Sequence, residues 1–132
     1  MNRPYSHDYI PPAPALQVMF ISPELQLSAG PFTALADTGT DVTTVPIVLL
    51  ERIKTPFMRL AFVQPHWGER YPVSLYSVDV RIDDWTLPAV EVIGDIKGSE
   101  IILGRDVLNK LRLLLDGPAE TTEILESKQK RK

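Results

Sequence analysis

The stretch that decides the fold is Ala36-Asp37-Thr38-Gly39-Thr40-Asp41, which follows the largely apolar run 32–35. The apolar run predicts a strand, and Gly39 predicts a sharp turn directly after it. A carboxylate at the end of a buried strand is costly unless it is paired or used in chemistry. An enzymatic function for this chain therefore depends on Asp37.

Length and composition set the outer limits. The chain has 132 residues, of which 44% are hydrophobic and 23% charged, so we expect one globular domain. It has no cysteine and hence no disulfide, thiolate ligand or thiol nucleophile. His7 and His66 lie far apart and form no metal-ligand pattern. We expect neither a metal nor a cofactor.

The charge is unevenly distributed. The tail 126–132 carries four basic residues against Glu126, so the rest of the chain is more acidic than the net charge of -3 indicates. An acidic body argues against a nucleic-acid partner, and we expect the tail to be a disordered, solvated end. No apolar run approaches the ~20 residues that span a bilayer, and the N-terminus lacks a signal-peptide pattern. The sequence therefore predicts a cytoplasmic protein with no membrane partner.

Short strands dominate the predicted organisation. Residues 1–14 contain four prolines and predict an extended arm before a domain at 15–125. Two short helices are expected at 46–53 and 107–111, with Thr44 and Asp106 as candidate N-caps. The strand-like runs are 16–22, 32–36, 59–63, 71–76, 78–82, 87–93, 101–103, 113–115 and 121–125. This pattern predicts an all-β domain of closed, barrel-like form.

A second stretch, Ile101-Ile102-Leu103-Gly104-Arg105-Asp106, is another apolar strand that ends in a glycine turn. Together the two stretches resemble the retropepsins, the retroviral-type aspartic proteases, and their single-domain bacterial and cellular relatives. In that family an Asp-Thr/Ser-Gly triplet supplies the catalytic acid. An apolar-apolar-Gly segment, often followed by Arg-Asp and a short helix, packs behind it. The resemblance extends over about residues 16–125.

Two other interpretations of Asp37 remain open. The residue also fits an Asx-type turn that carries no chemistry. A phosphoaspartate site of the haloacid dehalogenase type needs one more residue between the aspartate and Gly-Thr. It also needs an α/β body, a lysine and a further acidic Mg²⁺ motif, and the chain predicts too little helix for such a body.

The resemblance implies an aspartic endopeptidase. Its chemistry needs two carboxylates about 3 Å apart that share one proton, because like charges so close cannot both ionise. The chain holds one Asp-Thr-Gly triplet, so the second carboxylate must come from a second copy in a symmetric homodimer. One Asp37 would act as general base on a water, and the other would donate a proton to the scissile carbonyl oxygen. We expect the C-terminal strand, and the N-terminal arm with it, at the dimer interface.

The triplet and its neighbour receive separate roles from the resemblance. Thr38 would bond across the dimer axis, and Gly39 would let a substrate backbone approach and offer its carbonyl. Thr40 stands where many retroviral relatives have alanine, and its hydroxyl can donate to the outer carboxylate oxygen of Asp37. A donor to an ionised carboxylate favours the charged form. The sequence therefore predicts a more acidic pH optimum than those relatives have.

Further expected site residues lie around the triplet. Arg105 is expected to pair with Asp41 and tie the two turns together, and Asp41 is also a candidate acceptor for a bound peptide. The tip of the 59–76 hairpin is expected to be a lid over an extended peptide or protein substrate. The lid residues proposed to contact substrate are His66, Trp67 and Gly68. Because proline and tryptophan stiffen this tip, a non-catalytic peptide-binding or dimerisation module of the same fold is the alternative.

Overall fold

The structure, a computed structural model, describes residues 2–65 and 68–126. Within these residues strands dominate and the helices are short, as the sequence predicts. The elements in chain order are β1 (Asn2–Pro4), β2 (Ala15–Ile21), β3 (Ser28–Ala36), β4 (Thr44–Pro46), α1 (Ile47–Arg52), β5 (Phe57–Val63), β6 (Tyr71–Ile82), β7 (Trp85–Asp95), β8 (Ile102–Leu103), α2 (Arg105–Leu108), β9 (Arg112–Asp116) and β10 (Thr121–Leu125).

The larger sheet has seven strands in the order β2-β3-β8-β4-β7-β6-β5. Strand β8 pairs in parallel with β3 and in antiparallel with β4, although β3 and β4 follow each other in the chain. Their connection, residues 37–43, therefore passes over the end of β8, and it carries Asp37. Strand β2 pairs with β6 as well as with β3, so the first strand of the order also contacts a strand near its other end.

The core comes from one face of the alternating strands. In β2 the side chains of Leu16, Val18 and Phe20 are almost completely buried, while the residues between them are half-buried. Burial of each such side chain contributes about 1.5–3 kcal/mol. Leu103 of β8 and Val107 of α2 belong to the same core and are completely buried. The second sequence motif is thus anchored from behind by apolar packing.

The smaller sheet contains β1, β10 and β9 in that order, all antiparallel. Its strand β1 lies in the segment that the sequence predicts as an extended arm. That segment makes further bonds to the domain, since Ser6 bridges Ala13 and the Ala36 N–H donates to the Pro14 carbonyl at 3.0 Å. The described part of the arm is therefore bonded into the domain. The expected tail lies outside the described residues from position 127 onward.

Both predicted helix caps are wrong. Helix α1 begins after Pro46 without a side-chain cap, and the Thr44 hydroxyl donates instead to the carbonyl of Val42 at 3.4 Å. Helix α2 begins after Gly104, again without a side-chain cap. Asp106 lies inside the first turn of α2 and accepts hydrogen bonds from a distant residue, Thr43.

The largest differences between predicted and observed strand boundaries are in β6 and β3. The runs 71–76 and 78–82 form one strand, β6, because the buried Ser77 continues the pairing with β7. Strand β3 begins at Ser28, before the predicted start at residue 32. Gly30 permits this extension, since its φ is +126° and a Cβ there would lie 2.8 Å from the Val18 carbonyl oxygen.

Candidate active site

Asp37 lies at the end of β3, where the chain leaves the larger sheet. The parallel pairing of β3 with β8 sets Ala36 beside Leu103, and the Asp37 N–H donates to the Leu103 carbonyl at 3.0 Å. This bond fixes the main chain of Asp37 against the buried strand of the second motif. The side chain is half-buried, so its carboxylate remains accessible at the rim of the fold.

The loop itself holds both oxygens of the Asp37 carboxylate. The Gly39 N–H donates to Oδ1 at 2.9 Å, and the Thr40 hydroxyl donates to Oδ2 at 2.8 Å. The second bond confirms the contact predicted for Thr40. A Cβ at Gly39 would lie 3.2 Å from Oδ1, so this tight turn favours glycine. Two donors therefore fix the orientation of the carboxylate.

Arg105 joins the two motifs, and its predicted pair with Asp41 is present. One guanidinium nitrogen donates to the Thr38 carbonyl at 2.7 Å, and a second bonds the Asp41 carboxylate. The Arg105 main-chain N–H also donates to the Thr40 carbonyl at 2.8 Å. The two side chains of the ion pair are 44% and 78% exposed, so the pair adds little stability. Its effect is to hold the shape of the loop.

A buried network behind the loop was not predicted from the sequence. The hydroxyl of the fully buried Thr43 donates to Asp106 Oδ1 at 2.7 Å and accepts from the Gly104 N–H at 3.0 Å. The Thr43 N–H donates to the same carboxylate. One sequence signal points to this network, namely two similar sequence separations. Thr43 and Asp106 are 63 residues apart, and the predicted pair Asp41 and Arg105 are 64 apart. The loop 37–43 and the second motif are thus joined by two contacts, Asp41 with Arg105 and Thr43 with Asp106.

Gly104 lets the two turns come into direct contact. A Cβ at this position would lie 2.9 Å from the Thr40 carbonyl oxygen and 2.9 Å from the Val42 carbonyl carbon. Real side chains do not tolerate such distances from main-chain atoms, so any larger residue would push the loop 37–43 away from α2.

The hairpin of β5 and β6 lies where the sequence predicts a lid. The two strands pair as far as Val63 and Tyr71, and Gly68 donates its N–H to the Pro65 carbonyl at 3.3 Å in the connection. His66 and Trp67 lie outside the described residues. A cavity of about 440 Å³ is lined by residues of the hairpin strands, of β7 and of the segment around α2, together with Val42. Its lining includes Val42, Ala61, Val73, Ile93, Asp106 and Lys110.

Tyr9 ties the N-terminal segment to the loop before β8. Its hydroxyl donates to the Glu100 carboxylate. Burial, together with this hydrogen bond, raises the pKa of Tyr9 to about 12. The group stays protonated at physiological pH, so Tyr9 supports the segment that leads into β8 and does not act as an acid or base there.

The remaining predictions concern a metal, a membrane, the compartment and bound partners. Among residues 2–65 and 68–126, no group of three or more histidines and carboxylates is placed to hold a metal ion. No helix in the same part of the chain is long and apolar enough to cross a membrane. The predicted compartment, the roles of Thr38 and Gly39 toward a second chain or a substrate, and the use of Asp41 by a peptide stay predictions.

Comparison with known proteins gives matches among solved structures. No protein-family model and no curated protein sequence matches the chain. A retropepsin-like aspartic protease from Rickettsia conorii is similar over 94% of this chain and 88% of its own, with a TM-score of 0.59 and 10% identity. The retroviral protease-like domain of Ddi1 from Leishmania major covers 88% of this chain and 98% of its own, with a TM-score of 0.48 and 17% identity. The resemblance read from the two sequence motifs is confirmed, and the chain has a retropepsin-like fold.

Proposed function

We propose that the chain is an aspartic endopeptidase whose active site forms when two copies meet. The observation that carries this proposal is the Asp37 carboxylate, which is accessible while both its oxygens are fixed by Gly39 and Thr40. An Asx-type turn alone needs only the bond from Gly39. The Thr40 hydroxyl and the contacts of Arg105 with the loop go beyond such a turn. They hold the Asp37 carboxylate in an orientation that suits action on a bound molecule.

The chemistry requires a second carboxylate, and the proposed source is Asp37 of a second copy. In aspartic proteases two such groups about 3 Å apart share one proton, because both cannot be ionised. The ionised Asp37 takes a proton from a water held between the pair. The water oxygen attacks the peptide carbonyl carbon while the protonated Asp37 donates its proton to the carbonyl oxygen. No cofactor takes part in these steps.

The body of each copy is proposed to be a closed β domain that keeps this geometry rigid. The pairing of β2 with both β3 and β6 supports closure, since it links strands from opposite parts of the sheet order. A rigid scaffold matters because small misplacements of reacting groups lower the rate strongly.

The substrate is proposed to be an extended peptide that lies between the β5–β6 hairpin and the Asp37 loop. The cavity there has Val42 on the loop side and Ala61 and Val73 on the hairpin side. Apolar side chains next to the cleaved bond fit this lining. The exposed main chain of Gly39 and the carboxylate of Asp41 offer acceptors for backbone N–H groups of the peptide.

Cleavage of a peptide library by the purified chain, from acid to neutral pH, tests this proposal. We expect cleavage that pepstatin-type inhibitors block and that Asp37→Asn abolishes while the fold persists. Cleavage that is unchanged in Asp37→Asn overturns the mechanism. Binding of peptides without cleavage in the wild type supports the alternative, a non-catalytic peptide-binding or dimerisation module.

A further inference from the structure

An acidic cavity lies beside the turn that joins β6 to β7. The turn consists of Asp83 and Asp84, and the two strands pair up to it. The rest of the cavity wall comes from Trp85 at the start of β7, from the C-terminal end of β10 and from the residue after it. The cavity has a volume of about 330 Å³, and its carboxylates are Asp83, Asp84, Glu123 and Glu126. No lysine or arginine among the described residues lines it, so the cavity favours a positively charged occupant.

A buried carboxylate oxygen is the second feature of the acidic cavity. The side chain of Asp83 is 7% exposed, and its Oδ1 accepts a hydrogen bond from the Arg3 guanidinium at 3.1 Å. Its Oδ2 is buried and has no hydrogen-bond partner among residues 2–65 and 68–126. Arg81 donates to the Asp83 carbonyl oxygen at 3.3 Å and not to the carboxylate. A buried carboxylate oxygen without a donor is costly, and proteins keep few of them. Even with two guanidinium groups nearby, the four carboxylates leave the cavity with an excess of negative charge.

The lining selects the kind of cation. In the described part of the chain, no group of three or more histidines and carboxylates is placed to hold a metal ion, so a bare divalent ion does not fit the acidic cavity. Trp85 and Ile124 add apolar surface beside the carboxylates. A lysine or arginine side chain matches both surfaces. Its alkyl stem covers apolar groups, while its charged head binds carboxylates or lies over an aromatic ring.

We propose that the acidic cavity binds a lysine or arginine side chain of a basic peptide segment. The charged head of that side chain lies among the carboxylates of Asp84, Glu123 and Glu126, and its stem packs on Trp85. Two sources offer this chemistry. One is a separate basic polypeptide. The other is residues 127–132, which follow Glu126 in the sequence and include four basic residues.

The acidic cavity is separate from the Asp37 site. Strand β7 begins at Trp85 and pairs with β4, next to the loop 37–43, only from Ile93 onward. The extended strand between these two places is about 26 Å long. Binding in the acidic cavity therefore does not rest on the proposed protease activity. Because the wall comes from a turn of the larger sheet and from β10 of the smaller sheet, a bound side chain holds the two sheets together.

Calorimetric titration of the purified full chain with N-acetyl-tetralysine amide at low salt tests the proposal. We expect saturable binding, whereas the uncharged N-acetyl-tetraglutamine amide should not bind. Asp84→Asn/Glu123→Gln keeps the shape of the wall and removes two of its charges, so the dissociation constant for tetralysine should rise by about tenfold. Tetralysine should also raise the unfolding temperature of the wild type, because it binds the folded chain.

The matched control is Glu24→Gln/Glu51→Gln, which removes two exposed carboxylates in the β2–β3 turn and in α1. It changes the net charge by the same amount and should leave the dissociation constant within about twofold of the wild type, because exposed charges far from the ligand are screened. Equal weakening in the cavity variant and the control variant would mean that tetralysine is attracted by net charge alone, which overturns the proposal.

Replacement of Lys128, Lys130, Arg131 and Lys132 by glutamine distinguishes the two sources. Equal dissociation constants for this variant and the wild type support a separate polypeptide. Tighter tetralysine binding by the variant supports residues 127–132, since in the wild type they then compete for the acidic cavity. That gain should disappear when Asp84→Asn/Glu123→Gln is added. A gain that survives these substitutions overturns the proposal, as does the absence of tetralysine binding in both chains.

Discussion

Thr43 donates both its main-chain N–H and its hydroxyl to the carboxylate of Asp106, with 2.7 Å between the hydroxyl oxygen and Oδ1. This contact joins two segments that are 63 residues apart, directly behind the loop that carries Asp37. The loop is therefore held from its buried side by this network and from its exposed side by Arg105.

Removal of the Asp106 carboxylate should be costly. In Asp106→Ala, two donors on a fully buried threonine lose their acceptor, at about 1–3 kcal/mol each, so we expect about 2–6 kcal/mol of destabilisation. Urea unfolding measures this difference. The matched control is Asp79→Ala, whose carboxylate accepts the exposed Ala89 N–H and whose loss should cost under about 1 kcal/mol. Equal losses in the two variants would show that the buried network does not stabilise the fold.

Because the two turns are in close contact, one methyl group added at Gly104 should lower the stability of the fold. Gly104→Ala should destabilise the chain by about 1–3 kcal/mol, because the new Cβ would overlap main-chain atoms of Thr40 and Val42. Gly117→Ala is the control, since a Cβ there meets nothing within 4 Å. Thermal unfolding of both variants checks the prediction. A Gly104→Ala chain as stable as Gly117→Ala would contradict the packing described above.

The Thr40 hydroxyl should be needed for full activity. It donates to one oxygen of the Asp37 carboxylate, while the Gly39 N–H donates to the other. Thr40→Ala removes one of these two donors and should lower kcat by about tenfold, because a misplaced reacting group lowers the rate strongly. Thr40→Ser retains the hydroxyl and should behave as the wild type. Equal kcat values for wild type and Thr40→Ala would rule out this role.

Tyr9 should make the fold sensitive to strong alkali. Its pKa is raised to about 12 in the folded chain from an ordinary value of 10.0. The folded state therefore holds this proton more tightly than the unfolded state, so its stabilising effect is complete below pH 10 and is lost as the pH rises toward 12. The wild type should lose more stability than Tyr9→Phe between pH 9 and about pH 12. Denaturant midpoints at the two pH values measure it, and equal losses would contradict the Tyr9–Glu100 contact.

The sequence predicts the exposed face of the site better than its buried face. Asp37, Thr40 and the pair of Arg105 with Asp41 follow from short motifs whose residue types carry recognisable chemistry. The Thr43–Asp106 network does not, because a threonine and an aspartate in turns have many local uses, and only the fold brings these two together. For that reason the sequence predicts a helix cap at Asp106, whereas its carboxylate binds Thr43.

The sequence likewise predicts some parts of the fold and not others. Apolar alternation locates strands such as β2 and β6, whereas it does not show that β1 joins β10, because Asn2 and Pro4 carry no strand pattern. The sequence also does not show which strands lie at the edge of a sheet and which lie at its centre. The expectation that the C-terminal strand lies at a dimer interface stays a prediction.

Subunit mixing shows whether catalysis needs an Asp37 from each of two copies. Wild-type and Asp37→Asn chains are mixed in equal amounts, allowed to exchange, and assayed for peptide cleavage at a constant total concentration well above the dimer dissociation constant. Random pairing leaves about one quarter of the dimers with two intact aspartates, so we expect a rate of about one quarter of the wild type. A rate of about one half would mean that each Asp37 acts alone, and would contradict the shared site.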